Sequence, residues 1–132
     1  PMRIEVLEIR KASDGHMIVS FGCSFGEGVA RWTSTSLEPE RSRQYSAELD
    51  IECTVELGRT AQIGSDGLFS ITQRGDQTEL NGVVEDVDPD GMLYFRLSDD
   101  CLTLIEFKGQ IEKGTWLSIT VDSDCLQVKA HE

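Results

Sequence analysis

Gly82-Val83-Val84-Glu85-Asp86-Val87-Asp88-Pro89-Asp90-Gly91-Met92-Leu93-Tyr94-Phe95-Arg96-Leu97 decides how this chain is read. Leu93, Phe95 and Leu97 alternate with Tyr94 and Arg96, the two-residue period of a strand with one face toward a core. The apolar segment 82–85 leads into Asp88-Pro89-Asp90-Gly91, where glycine accepts the positive φ that a tight hairpin needs. The same order occurs earlier in the chain. Ile4-Glu5-Val6-Leu7-Glu8-Ile9 leads to Asp14-Gly15, after which Met17, Val19 and Phe21 alternate with Ile18 and Ser20. Counted from each Asp-Gly, the apolar residues fall in the same phase, so two copies of one β unit are expected.

The alternation continues outward from both hairpins. Tyr45, Ala47, Leu49, Ile51, Cys53, Val55 and Leu57 share one face of a segment whose other face carries Ser46, Glu48, Asp50, Glu52, Thr54 and Glu56. This pattern predicts a strand with one face on a core and a row of carboxylates in water. Further strands are expected at 27–33, 68–74, 78–87, 91–97, 101–108, 115–121 and 125–130. Ser65-Asp66-Gly67, Gly75-Asp76, Asp99-Asp100, Lys113-Gly114 and Ser123-Asp124 mark turns between them. Many short strands punctuated by Gly and Asp mean an all-β barrel or sandwich with little helix. The expected organisation is a first half at 2–57, a connecting segment with a strand at 58–77, and a second half at 78–132. Residues 34–44 read as loop, and the first copy has no separate fifth strand. Val19, Phe21, Leu49, Ile51, Leu93, Phe95, Leu97, Leu117, Ile119 and Val121 are the expected core.

The segment 80–97, followed by 101–108, Gly114-Thr-Trp-Leu-Ser-Ile-Thr-Val121 and 126–130, resembles an OB-fold barrel. It is similar to the S1-like modules of translation initiation factor one and related small RNA binders. The resemblance covers residues 80–131 and reaches 2–57 through the internal repeat alone, which implies two OB-like small barrels. Such modules bind single strands through basic grooves and exposed aromatics. Here Arg96 and Lys108 are the only bases between 80 and 112, and the turns carry Glu85, Asp86, Asp88, Asp90, Asp99, Asp100, Asp122 and Asp124. Tyr94 and Trp116, on the opposite phase to the core residues, either stack bases or cover a barrel end.

The 132 residues hold 24 Asp+Glu against 12 Lys+Arg, a formal charge of −12. Such a field repels phosphate backbones and attracts basic proteins. An apolar run of membrane-spanning length is missing, Met2 is not followed by a secretory leader, and Pro1 reads as a cloning remnant; a cytoplasmic protein is expected. Cys23, Cys53, Cys101 and Cys125 lack zinc-site spacing with each other or with His16 and His131, so reduced, structural thiols are expected. Asp86-Val-Asp88-Pro-Asp90-Gly91 spells the opening of an EF-hand loop. Its twelfth position is Leu97 and its flanks are strands, so it reads as a turn and no metal is expected. Gly22-x-x-x-Gly26-x-Gly28 lacks the lysine and following helix of a phosphate cradle and reads as a bulged strand connection. Neither histidine sits in a nucleophile context, and no cofactor is expected.

The leading expectation is therefore a non-catalytic, bacterial-type acidic protein that docks on and masks a basic protein partner, such as a toxin or a nucleic-acid-binding protein. Immunity proteins and DNA-mimicking inhibitors have this general character. The candidate contact residues are Glu48, Asp50, Glu52, Glu56, Asp86, Asp88, Asp90, Tyr94 and Trp116. The second expectation is an OB-fold protein that binds single-stranded nucleic acid, and an enzyme ranks last.

Overall fold

In the computed structural model, which describes residues 1–64 and 66–131, the alternating segments form twelve strands. In chain order these are β1 (Met2–Lys11), β2 (Met17–Cys23), β3 (Gly26–Trp32), β4 (Gln44–Ile51), β5 (Val55–Glu56) and β6 (Ala61–Ile63). They continue with β7 (Ser70–Arg74), β8 (Gln77–Val87), β9 (Met92–Ser98), β10 (Cys101–Lys108), β11 (Trp116–Asp122) and β12 (Leu126–His131). A 3-10 turn covers Ser123–Cys125, and the described residues contain no α-helix. No helix is long and apolar enough to cross a membrane among the described residues. Ser65 of the expected 65–67 turn and Glu132 of the expected second half lie outside the described residues.

Each copy opens with a long strand bent at a bulge just after a valine. In β1 the register shifts between the pairs Val6–Phe21 and Glu8–Ser20; in β8 it shifts between Val84–Phe95 and Asp86–Tyr94. An extra residue at such a point sharpens the twist, which lets one strand pair with two neighbours around a curved wall. Thus β1 pairs with β4 before its bulge and with β2 around and after it, and β8 pairs with β11 and β9 in the same way. Gly82 sits at the bend of β8, where an added Cβ would stand 2.2 Å from the Arg96 carbonyl oxygen.

The closing strands do not follow chain order. β1, β2, β3, β12 and β4 form a closed five-stranded barrel in which β12 runs parallel to β3 and antiparallel to β4. That circuit is compatible with a small OB-like barrel. The other strands lie outside this barrel, and six of them form a second circuit of similar order around β8. β8 pairs with β9 and β9 with β10, β5 lies parallel to β10, and β6 pairs with β11, which returns to β8. An isolated parallel bridge runs between Leu57, just past β5, and Ala61 of β6. The segment that follows β4 in the chain therefore serves the second circuit, and the segment that follows β11 closes the first. The missing fifth strand of the first copy is β12.

This exchange changes two sequence expectations. The alternating stretch 45–57 is not one strand: β4 stops at Ile51, residues 52–54 cross between circuits, and Val55 resumes in the other one. The connecting segment 58–77 holds β6 besides the strand expected at 68–74, and β6 pairs with β11. The alternation itself holds, and all ten expected core residues are buried. The loop before β4 is pinned at both sides. Trp32 Nε1 donates to the Leu37 carbonyl at 2.8 Å, the Tyr45 hydroxyl accepts from the Glu40 amide at 2.9 Å, and the two rings meet edge-on at 5.1 Å.

Phe21 and Phe95 are equivalent, each opposite the bulge valine and each fully buried. Phe21→Ala and Phe95→Ala are each expected to lower stability by about 3–5 kcal/mol in denaturant unfolding. A change below about 0.5 kcal/mol in either, as at an exposed site, would contradict the core assignment.

Candidate binding surfaces

The acidic hairpin Asp86–Asp90 is built first of all as a turn. Asp88 Oδ1 accepts from the amides of Asp90 at 2.9 Å and Met92 at 3.0 Å, and Asp86 Oδ1 accepts from the Val87 amide at 2.9 Å. Side chains of this kind imitate a backbone turn two residues long. The equivalent hairpin works alike: Asp14 Oδ1 accepts from the His16 amide at 3.0 Å, while Oδ2 lies 3.0 Å from His16 Nδ1 and 3.8 Å from Arg31. The His16 amide, then its ring, hold the Asp14 carboxyl below its ordinary range. Asp90 is exposed, and among the described residues its side chain makes no such bond. Among the described residues no three His, Cys, Asp or Glu side chains converge as metal ligands.

The other expected carboxylates are spread over both circuits. Glu48 and Asp50 lie half-buried on β4, opposite Lys129 and Gln127 of β12. Glu52 is exposed on the crossover, and Glu56, on β5, lies 4.0 Å from Arg59. Tyr94 and Trp116 share the outer face of the second circuit. Tyr94 is in register with Asp86 and Leu104, and Trp116 with Val83, which pairs in turn with Arg96. Trp116 packs on Phe69 at 5.1 Å between ring centroids. Arg96, the base on this face, is engaged: its Nε donates to Glu85 Oε2 at 3.1 Å and its NH1 to the Asp99 carbonyl at 3.0 Å. The Arg96–Glu85 hydrogen bond, and then the Arg96 charge, hold the Glu85 carboxyl below its usual range.

A cleft of about 670 Å³, which the sequence patterns do not reveal, lies where the two circuits meet. One wall comes from β1 and the β2–β3 turn, the other from Phe69 and the β9–β10 turn at Ser98-Asp99-Asp100. Leu7 enters it as the extra residue of the β1 bulge, and bulges re-aim side chains in this way. Gly22 lies beside it: an added Cβ there would be in ordinary contact with Leu7 Cδ1, at 3.5 Å. Phe25 and Phe69 stand 6.5 Å apart at the seam. Glu5, Glu27, Asp99 and Asp100 line the same cleft, and among the described residues none of these carboxylates has a salt bridge or side-chain hydrogen bond. Arg3 is its only basic lining residue among the described residues, and its Nε donates to Gln44 Oε1 at 3.3 Å. The sequence signal was two phenylalanines in or beside Gly-containing turns, where polar residues are the rule.

Comparison of the chain with protein-family models, with curated proteins and with solved structures returned no match.

The turn function of Asp88 separates it from its neighbour. Asp88→Ala is expected to destabilise the protein by about 1–2 kcal/mol through two lost hydrogen bonds. Asp90→Ala should stay within about 0.5 kcal/mol. Equal effects in thermal or denaturant unfolding would show that the hairpin does not depend on the Asp88 side chain.

Proposed function

We propose that this chain is a non-catalytic acidic binding protein that docks on a basic partner protein and masks its positive surface, in the manner of an immunity or inhibitor protein. The observation that carries the proposal is the seam cleft, in which Leu7, Phe25 and Phe69 stand among four carboxylates that are unpaired among the described residues. Apolar walls with an acidic rim complement a Lys/Arg-rich segment that also offers an apolar side chain. The buried apolar contact supplies affinity, and the charges supply encounter rate and selectivity. Glu48, Asp50, Glu52, Glu56, Asp86 and Asp90 extend the negative field around this seat, and the net charge of −12 steers a cationic partner toward it. Binding of single-stranded nucleic acid at Tyr94 and Trp116 is less well supported. Trp116 is packed on Phe69 and Arg96 is held by Glu85, which leaves that face without an uncommitted guanidinium for phosphate.

The proposal is tested with a short Lys/Arg-rich peptide carrying one central Phe, followed by amide chemical shifts and calorimetry. The expected result is perturbation at Leu7, Gly22, Phe25 and Phe69, with affinity that falls as salt rises. Replacing the four rim carboxylates (Glu5→Gln, Glu27→Gln, Asp99→Asn, Asp100→Asn) should weaken binding about tenfold or more, which is ~1.4 kcal/mol. Undiminished binding by the neutralised variant would overturn this seat. Tight, salt-sensitive binding of a single-stranded oligonucleotide at Tyr94 and Trp116 would favour nucleic-acid recognition instead.

A further inference from the structure

The chain passes between the two circuits at 52–54 and again at 123–125, and these crossovers lie side by side. Ile51 and Leu126 are register partners, and the Glu52 amide donates to the Cys125 carbonyl at 2.7 Å. Each crossover carries one cysteine, and the Glu52–Cys125 hydrogen bond places Cys53 next to the chain at Cys125. Their positions correspond. Aligned on the bulge valines, Tyr45 matches Leu117 and Ala47 matches Ile119, and continuing one for one brings Cys53 onto Cys125. Both are half-buried, within reach of a small oxidant, whereas Cys101 is fully buried.

We propose that Cys53 and Cys125 are a reversible disulfide site that ties the two crossovers together when the protein meets a peroxide. One thiolate attacks hydrogen peroxide, breaking the O–O bond to give a sulfenic acid and water. The second sulfur then displaces the sulfenic oxygen as water, forming the S–S bond. The protein loses two electrons and two protons, and one peroxide is reduced to two waters. Burial first, and then the neighbouring Cys125 sulfur, push the Cys53 thiol up to about 12, which disfavours its thiolate. Asp122 and Glu52 add negative charge beside Cys53. They repel anionic oxidised glutathione and leave a neutral peroxide as the fitting oxidant. The bond fixes both ends of the chain that builds the second circuit, so β5 and β12 can no longer leave their circuits independently.

The test uses the full chain with Cys23→Ser and Cys101→Ser, beside wild type and Cys53→Ser. Each is treated with hydrogen peroxide and then analysed by thiol titration and non-reducing peptide mapping. The expected result is loss of both remaining thiols, a Cys53–Cys125 cross-linked peptide, reversal by dithiothreitol, and a thermal midpoint raised by several degrees in the oxidised form. Cys53→Ser should instead stop at a sulfenic or sulfinic Cys125 with no rise. Two thiols that survive oxidation, sulfinic acid on Cys125 despite Cys53, or wild-type cross-links running to Cys23 or Cys101 would each overturn the proposal.

Discussion

The structure depends on two parallel pairings, Trp32 with Val128 and Phe107 with Val55. Each joins the third strand of one copy to a strand that the chain has just drawn from the other. A five-stranded wall missing one strand would expose two unpaired edges and one side of its core, and closure removes both liabilities. Neither circuit closes from its own contiguous residues. The copies are thus tied by the chain itself, and partial opening of one removes a wall from the other. The first barrel also waits for the last strand of the chain, so residues near position 30 must find residues near 128. Long-range pairing of this kind slows folding more than it changes stability.

The seam between the circuits has its own requirements. Gly26 lies beside Ile71 with φ near +146°, and an added Cβ would fall 1.8 Å from the Ile71 carbonyl oxygen. No side chain fits there, so the first glycine of β3 is what lets β7 approach. Next to it, Gln73 Oε1 accepts from the Val29 amide at 3.0 Å and from the buried Thr78 hydroxyl at 2.7 Å, while its Nε2 donates to Ser123 Oγ at 2.8 Å. One amide side chain therefore satisfies polar groups from β3, β8 and the second crossover. The cleft is a by-product of the same approach: two curved walls that touch along β3 and β7 diverge beyond Phe25 and Phe69, and acidic turns occupy the gap.

Much of this was legible in the residue order. Period-two alternation placed Val19, Phe21, Leu93 and Phe95 in the core, and the paired Asp-Gly signals marked both hairpins. Each hairpin is also preceded by a bulge just after a buried valine that pairs with a phenylalanine. The exchange left no local mark. Val55 and Val128 hold equivalent places, and alternation reports which side of a strand faces a core without saying whose core it is. The run from Tyr45 to Leu57 kept its phase across the crossover, so two strands in different circuits read as one. The acidity of Asp88 was legible, but the engagement of its carboxylate by backbone amides was not. The cleft joins Leu7, Phe25, Phe69 and Asp99, residues that only the tertiary fold brings together.

Contacts across the two parallel pairings are the most direct test of this account. Nuclear Overhauser spectra of the intact chain should connect Val128 with Trp32 and Val55 with Phe107. If each copy closed on itself, the connections would be reversed, Val55 with Trp32 and Val128 with Phe107, and the exchanged architecture would be wrong.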